Sequence, residues 1–91
     1  MRDKKFVINS IKMDLYRVVT AAGDIRKELP KQSVIEFMEH AGRDFEKTEL
    51  TLREKELKSQ LKNLLSQLND LRDARARLKW TEDVMTIRCR L

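Results

Sequence analysis

The chain of 91 residues has little of what most enzymes and secreted proteins are built from. Its one cysteine, Cys89, excludes an intrachain disulfide and gives no sign of a secreted disulfide scaffold. Two glycines and one proline provide no glycine-rich phosphate-binding loop. No segment approaches the roughly 20 apolar residues that cross a bilayer, and the apolar stretches near the N-terminus are too short for a signal peptide. We therefore expect a cytoplasmic protein without a membrane segment.

Charged residues, by contrast, make up 38% of the chain, and aromatic residues only 5%. Such a composition is typical of long helices and coiled coils. The regular spacing of apolar residues argues against disorder. A small chain this polar buries a thin core, and oligomerisation is the usual way to add stability. The net charge of +5 is uneven, with basic ends and an acidic middle that suit nucleic acid, an acidic partner or self-association.

A 3-4 spacing of apolar residues predicts a first helix over residues 9–29. The series consists of Ile8, Ile11, Leu15, Val18, Ala22, Ile25 and Leu29. Pro30 disfavours helical geometry at the residue before it and so ends this helix. Ser33 and Glu36 match a capping box for the next helix. Because the connection is short, we expect the two helices to be antiparallel neighbours.

A second helical pattern spans residues 33–79. Its apolar stripe shifts around the helix by about 150° near the middle. One continuous helix accommodates the shift if its two halves pack against different partners. The alternative is a break near residues 48–51, where Thr51 and Glu54 match a capping box, so that a third helix folds back into a bundle. We favour the continuous helix because the chain contains no glycine or proline after Gly42.

The C-terminal half of this pattern carries a leucine row with the a/d spacing of a coiled coil. An exposed row of this length is a large apolar patch, so we predict that it binds a second copy of the chain. Arg75 interrupts the row, where it either fixes the register or strand number of the assembly or reaches out to solvent from its long stem. The predicted interface consists of Leu57, Leu61, Leu64, Leu68, Leu71, Arg75 and Leu78. Dimer or tetramer, and parallel or antiparallel pairing, stay open.

Residues 81–91 change period. Apolar Met85, Ile87, Cys89 and Leu91 alternate with polar residues, and a two-residue repeat predicts a short strand. A frayed terminus is the alternative.

Few side chains offer catalytic or metal-binding chemistry. His40 and Cys89 are the only histidine and the only thiol, they are distant in sequence, and no third group completes a nucleophilic site. Glu36 and His40 are one helical turn apart, but they lack the Glu-x-x-His spacing of di-metal bundles. We therefore expect no catalytic residue, no metal ion and no cofactor.

Basic residues near the C-terminus provide an alternative function. The candidate contacts with nucleic acid or with a protein partner are Arg72, Arg77, Lys79, Trp80, Arg88 and Arg90. Doubled in a dimer, the arginines and the lysine among them would form a phosphate-binding surface together with Arg75. Asp70 and Asp73 lie among them, however, and the sequence has no helix-turn-helix glycine turn or zinc-ligand spacing.

These observations together predict one all-α domain over residues 1–91. Its architecture is an antiparallel helical hairpin whose longer second helix projects and joins a coiled-coil-like oligomer. The predicted function is that of a small non-enzymatic interaction or regulatory protein, which self-associates through the leucine-rich helix and binds a partner macromolecule. Association with nucleic acid is the alternative function, and we expect no binding to membranes.

Overall fold

Four α-helices make up most of the chain in the computed structural model, which describes residues 3–91. They are α1 (Lys4–Gly23), α2 (Lys31–Phe45), α3 (Leu52–Gln67) and α4 (Ala74–Arg90), and one turn of 3-10 helix, Leu68–Asp70, follows α3. No strand occurs within this part of the chain. The prediction of an all-helical protein is confirmed.

The first helix lies closer to the N-terminus than its apolar spacing predicts. It begins directly after Asp3, whose side chain accepts a hydrogen bond from the backbone N–H of Lys5 at 3.2 Å and so caps the helix. It ends at Gly23, the residue of α1 with the lowest helix propensity. Ile25 and Leu29 therefore lie in the connection to α2, although they continue the apolar spacing of the helix.

The second helix begins directly after Pro30, which occupies its N-cap. The fixed φ of proline suits a helix start, and the carbonyl of Pro30 accepts the N–H of Val34 at 3.0 Å. Instead of pairing with Ser33 in the predicted capping box, Glu36 accepts a hydrogen bond from the side chain of Gln32 at 3.2 Å.

The continuous helix over residues 33–79 requires correction, because the chain has the break of the alternative interpretation. Thr51 and Glu54 form the capping box that begins α3, with hydrogen bonds of 2.9 and 3.2 Å in the two directions. An i,i+4 ion pair across the break would contribute only about 0.2–0.5 kcal/mol. Burying one leucine contributes about 1.5–3 kcal/mol, so folding α3 back onto the core outweighs helix continuity.

A second break separates α3 from α4 at residues 71–73, and the apolar pattern does not indicate it. The side chain of Asp73 accepts the backbone N–H of Ala76 at 2.7 Å and caps α4. An aspartate cap thus restarts the helix without glycine or proline. The break reverses the chain, so that α4 returns along the bundle.

The strand predicted in residues 81–91 is wrong, because residues 81–90 belong to α4. The buried residues Trp80, Val84 and Ile87 are four and three positions apart, which is helical spacing. Met85 and Cys89 take part in the two-residue alternation, yet both are exposed. Helical burial therefore decides the conformation, and the alternation has no structural counterpart.

Each helix packs against two others. α1 lies against α2 and α4, and α3 lies against the same two helices. Ser10 in the first half of α1 contacts Asp44 at the end of α2, and Ala22 at the end of α1 contacts Arg77 near the start of α4, so both neighbours run antiparallel to α1. The described chain measures 41 × 20 × 19 Å. This arrangement leaves the outer side of α4 facing solvent.

Candidate functional site

Four leucines of the predicted interface lie in the core of their own chain. Leu57, Leu61 and Leu64 on α3 and Leu68 in the 3-10 turn are 2, 2, 7 and 1% exposed. Because of the break before α4, that helix folds back against α3, and the indole of Trp80 donates a hydrogen bond to the carbonyl of Leu64 at 2.7 Å. The expectation that the leucine row is exposed and covered by a second copy is therefore wrong at these positions.

The other three residues of the predicted interface lie nearer the surface. Leu71 is partly buried at the edge of the core, Arg75 is exposed, and Leu78 is 41% exposed. Self-association itself stays a prediction. Of the seven predicted residues, only Arg75 and Leu78 are open to a second chain.

Arg77, a predicted partner contact, is a buried part of the fold. Its guanidinium donates to the carbonyls of Ala22 and Lys27, both at 2.7 Å, and to those of Asp24 and Ala21 at 2.9 and 3.4 Å. These carbonyls lie at the end of α1 and in the connection after it, where a helix leaves its acceptors unpaired. Arg77 therefore caps the C-terminal end of α1 and ties α4 to it.

Two other predicted contacts with phosphate are also engaged within the chain. Arg88 donates from Nε to the carbonyl of Lys12 at 3.2 Å, and its guanidinium lies over the ring of Tyr16, 5.7 Å from the centroid. The ammonium of Lys79 pairs with Asp83 at 2.8 Å. Phosphate binding at either residue would compete with these contacts.

Three cations near the C-terminus have no partner among residues 3–91. Arg72, Arg75 and Arg90 are exposed, and their side chains make no hydrogen bond or ion pair within that range. Arg75 and Arg90 lie near opposite ends of α4, about 22 Å apart at 1.5 Å per residue. The exposed arginines are thus farther apart in the structure than the cluster of basic residues in the sequence suggests. This separation weakens the nucleic-acid alternative.

A polar cluster lies between α1 and α2. Nδ1 of His40 is 2.5 Å from Oδ2 of Asp14 and 3.6 Å from Oδ2 of Asp44. The two aspartates are 4 and 2% exposed, whereas the side chain of His40 is 46% exposed. The cluster therefore joins the two helices through one half-exposed ring and two buried carboxylates.

Two cations and a hydroxyl complete this cluster. Arg17 lies 3.4 Å from Oδ1 of Asp14, and Lys47 lies 3.0 Å from Oδ1 of Asp44. The hydroxyl of Ser10 donates to Oδ2 of Asp44 at 2.7 Å. Each buried carboxylate thus has a basic side chain to balance its charge.

The cluster resembles a zinc site in donor type but not in geometry. His40, Asp14 and Asp44 offer one nitrogen and two oxygens within 4.8 Å of one another. Ligands at about 2.0–2.2 Å from a tetrahedral zinc ion lie more than about 3 Å apart, which exceeds the Asp14–His40 distance. Because Arg17 and Lys47 already balance the carboxylates, we interpret the cluster as a polar clamp that sets the register of α1 and α2.

The Asp44 carboxyl makes the stability of the folded protein depend on pH in the acid range. Burial alone raises its pKa, but the Ser10 hydroxyl, Lys47 and the charge at His40 together outweigh burial and hold the pKa below its ordinary 3.8. A lowered pKa stabilises the folded protein only while the carboxyl is ionised. The contribution is therefore present above pH 3.8 and is lost as the pH falls through the folded-state pKa.

We expect the difference in unfolding free energy between wild type and Asp44→Asn to be constant above about pH 4 and to shrink as the pH falls further. Urea unfolding between about pH 6 and about pH 3 measures the difference. Asp70→Asn, at an exposed position in the 3-10 turn, is the control and should follow the wild type throughout. A difference between wild type and Asp44→Asn that stays constant over this range would contradict the expectation.

The outer side of α4 carries residues at a spacing of three and four. This series, the α4 strip, consists of Arg75, Leu78, Glu82, Met85 and Cys89. All are exposed, Leu78 by 41% and Met85 by 38%. A shallow groove beside the strip is lined by Leu78 and Met85 and, across from them, by Val19 of α1. The α4 strip is therefore a helix face with apolar side chains that its own chain leaves open.

The sequence pattern does not indicate the polar cluster or the last three residues of the α4 strip. Asp14 and Asp44 each lie next to the apolar stripe of a helix. Charged residues next to the apolar stripes of two neighbouring helices indicate that a polar cluster lies between those helices. Glu82, Met85 and Cys89 fall in the predicted strand. The 3-4 spacing that they continue from the preceding turn of helix identifies them once α4 is recognised.

The placement of the chain's own residues is the basis on which its function is inferred. Within residues 3–91, no helix has both the length and the apolar character that crossing a membrane requires. The function is therefore inferred from the placement of the chain's own residues, above all from the α4 strip. Comparison with protein-family models, with curated proteins and with solved structures finds no match for this chain.

Proposed function

We propose that this protein is a small, non-enzymatic helical interaction module that associates with a second copy of its chain through the α4 strip. The observation that carries the proposal is the exposure of Leu78 and Met85 along one side of a helix, in a chain of which charged residues make up 38%. Apolar side chains at a 3-4 spacing are the pattern through which helices pair. A self-associating module of this kind acts as an adaptor or regulatory subunit.

The groove next to the strip adds apolar surface to the proposed interface. Val19 on α1 faces Leu78 and Met85 across it. A second α4 lying along the strip covers these side chains and gains about 25 cal/mol for each Å² of apolar surface removed from water. A single helix face is a small interface, and small interfaces are typical of weak complexes, so we expect a dissociation constant in the micromolar range.

Association with nucleic acid is the less favoured proposal. It relied on a dense group of cations, and Arg77 is buried while Arg88 and Lys79 have partners within the chain. The three exposed arginines that remain do not form a continuous surface along α4.

Leu78→Gln tests the proposed interface directly. Leucine and glutamine have similar helix propensities, so the change should preserve α4 while removing an apolar contact. Because a symmetric dimer contains the residue twice, we expect the dissociation constant to rise about tenfold or more. Sedimentation equilibrium of the wild type and the variant measures this rise.

Leu52→Gln is the matched control. Leu52 is 86% exposed at the start of α3, near the end of the bundle opposite to Leu78. The control should dimerise like the wild type. Equal dissociation constants for Leu78→Gln and the wild type would remove the α4 strip from the interface.

A further inference from the structure

We infer that the two copies pair through α4 in an antiparallel orientation, with Arg75 of each copy bound to Glu82 of the other. This inference rests on the proposed self-association and adds the orientation and the residues that determine it. Arg75 and Glu82 belong to the α4 strip, and both are exposed. Neither side chain makes a hydrogen bond or an ion pair with another residue in 3–91. One basic and one acidic side chain on the same helix face are therefore without a hydrogen bond or ion pair inside the described chain, although the charge of Lys79 acts on Glu82.

Parallel pairing is unfavourable for this charge pattern. A two-fold axis along the helices would place every residue of the strip beside its own copy. Arg75 would face the partner's Arg75, and Glu82 would face the partner's Glu82. Like charges directly opposed across a helix interface cost free energy and select against that orientation.

Antiparallel pairing turns both repulsions into attractions. If the two-fold axis passes near Trp80, Leu78 is level with the partner's Glu82, and Arg75 is level with the partner's Met85. The methylene stem of Arg75 then covers the partner's Met85, while its guanidinium reaches the partner's Glu82 about one helical turn away. Symmetry repeats the contact, so each dimer gains two ion pairs around the leucines.

Lys79 does not compete for this role. Its ammonium is already paired with Asp83 at 2.8 Å on the neighbouring side of the helix. Arg75 precedes it by one turn and has no such partner within the described chain. The charge of Lys79 also acts on Glu82, but less strongly than on Asp83 and without an ion-pair contact, so Glu82 can still bind a cation of the second copy. The strip is complementary to itself only when it is reversed.

Charge exchange tests the orientation. Arg75→Glu and Glu82→Arg should each weaken the dimer about tenfold or more, because each replaces two attractions by two repulsions. The double variant Arg75→Glu/Glu82→Arg should return to within about threefold of the wild-type dissociation constant. Both positions are exposed, and circular dichroism of each variant verifies that the helices are retained.

Cys89 provides an independent measurement of the orientation. It is exposed near the end of α4. In the antiparallel pair, the two Cys89 side chains lie roughly 27 Å apart along the axis, too far for a disulfide. In a parallel pair they are adjacent. Mild oxidation of the wild-type dimer should therefore give no covalent dimer.

The outcomes separate this inference from the proposed function. A wild type that is monomeric at all concentrations overturns both. A dimer that Leu78→Gln dissociates, but that resists both single charge reversals or forms a Cys89 disulfide, retains the proposed function and overturns the antiparallel pairing. Loss of dimer in both single variants with recovery in the double variant supports the inference.

Discussion

Replacing Arg77 with methionine is expected to lower the free energy of unfolding by about 2–4 kcal/mol. Arg77 is 9% exposed, and its guanidinium donates to four backbone carbonyls at the end of α1 and in the connection that follows. Methionine preserves much of the volume but leaves these acceptors without their donor. The cost is the desolvation of unpaired buried carbonyls, which exceeds the loss of one surface contact.

Lysine at this position should recover only part of the loss, because an ammonium cannot reproduce the planar fork that reaches several acceptors. Urea unfolding followed by circular dichroism at the helical minimum measures the three proteins. Arg72→Met is the control, since Arg72 is exposed in the connection before α4, and it should stay within about 0.5 kcal/mol of the wild type. An Arg77→Met variant as stable as this control would contradict the capping role.

Truncating Trp80 to alanine is expected to cost about 3–5 kcal/mol. Trp80 is 2% exposed within the core, and its Nε1 donates to the carbonyl of Leu64 at 2.7 Å. Alanine removes the packing between α4 and α3 and leaves a cavity. Phenylalanine fills most of the space but cannot donate, so Trp80→Phe should cost about 1–3 kcal/mol.

Thermal and urea unfolding by circular dichroism measure both Trp80 variants. Leu52→Ala is the control, because this leucine is 86% exposed, and its effect should stay within about 0.5 kcal/mol. A Trp80→Ala variant that unfolds like the control would mean that α4 does not depend on the indole to cover α3. The order alanine, phenylalanine, wild type in rising stability is the expected result.

Arg77 and Trp80 show where a sequence pattern is informative and where it is silent. Composition and spacing are enough to predict an all-helical chain. They do not distinguish a basic surface from a buried cap, because the acceptors of Arg77 lie about fifty residues away in the chain. From the sequence alone, a cation and an aromatic residue close together are therefore interpreted as a partner-binding surface. In the structure, Arg77 and Trp80 instead stabilise the fold.

The covered leucine row depends on a short segment at residues 71–73. With no glycine or proline there, the apolar spacing favours one helix through Arg75 and Leu78. From the sequence, Asp73 fits two roles equally well: the i,i+4 partner of Arg77 within one helix, or the N-cap of a new helix. The free energy gained by burying Leu57–Leu68 favours the N-cap and the break, because the break lets α4 fold back over these leucines. Local helix propensity does not include that free energy.

The polar cluster and the α4 strip could be predicted from the sequence only in part. The antiparallel arrangement expected for the first two helices brings Asp14 towards the end of α2, but the contact between Asp14 and His40 depends on how the two helices pack, which the sequence does not give. Arg75 and Leu78 emerge from the leucine spacing. Their continuation through Glu82 and Met85 depends on residues 81–91 being helical, which the two-residue alternation obscures.

Sedimentation velocity of the wild-type chain over about 1 to 100 µM tests the main proposal most directly. If the α4 strip joins two copies, the measured mass should rise with concentration from that of one chain, 10.8 kDa, to that of two. A mass that stays at the value for one chain over the whole series would contradict the account.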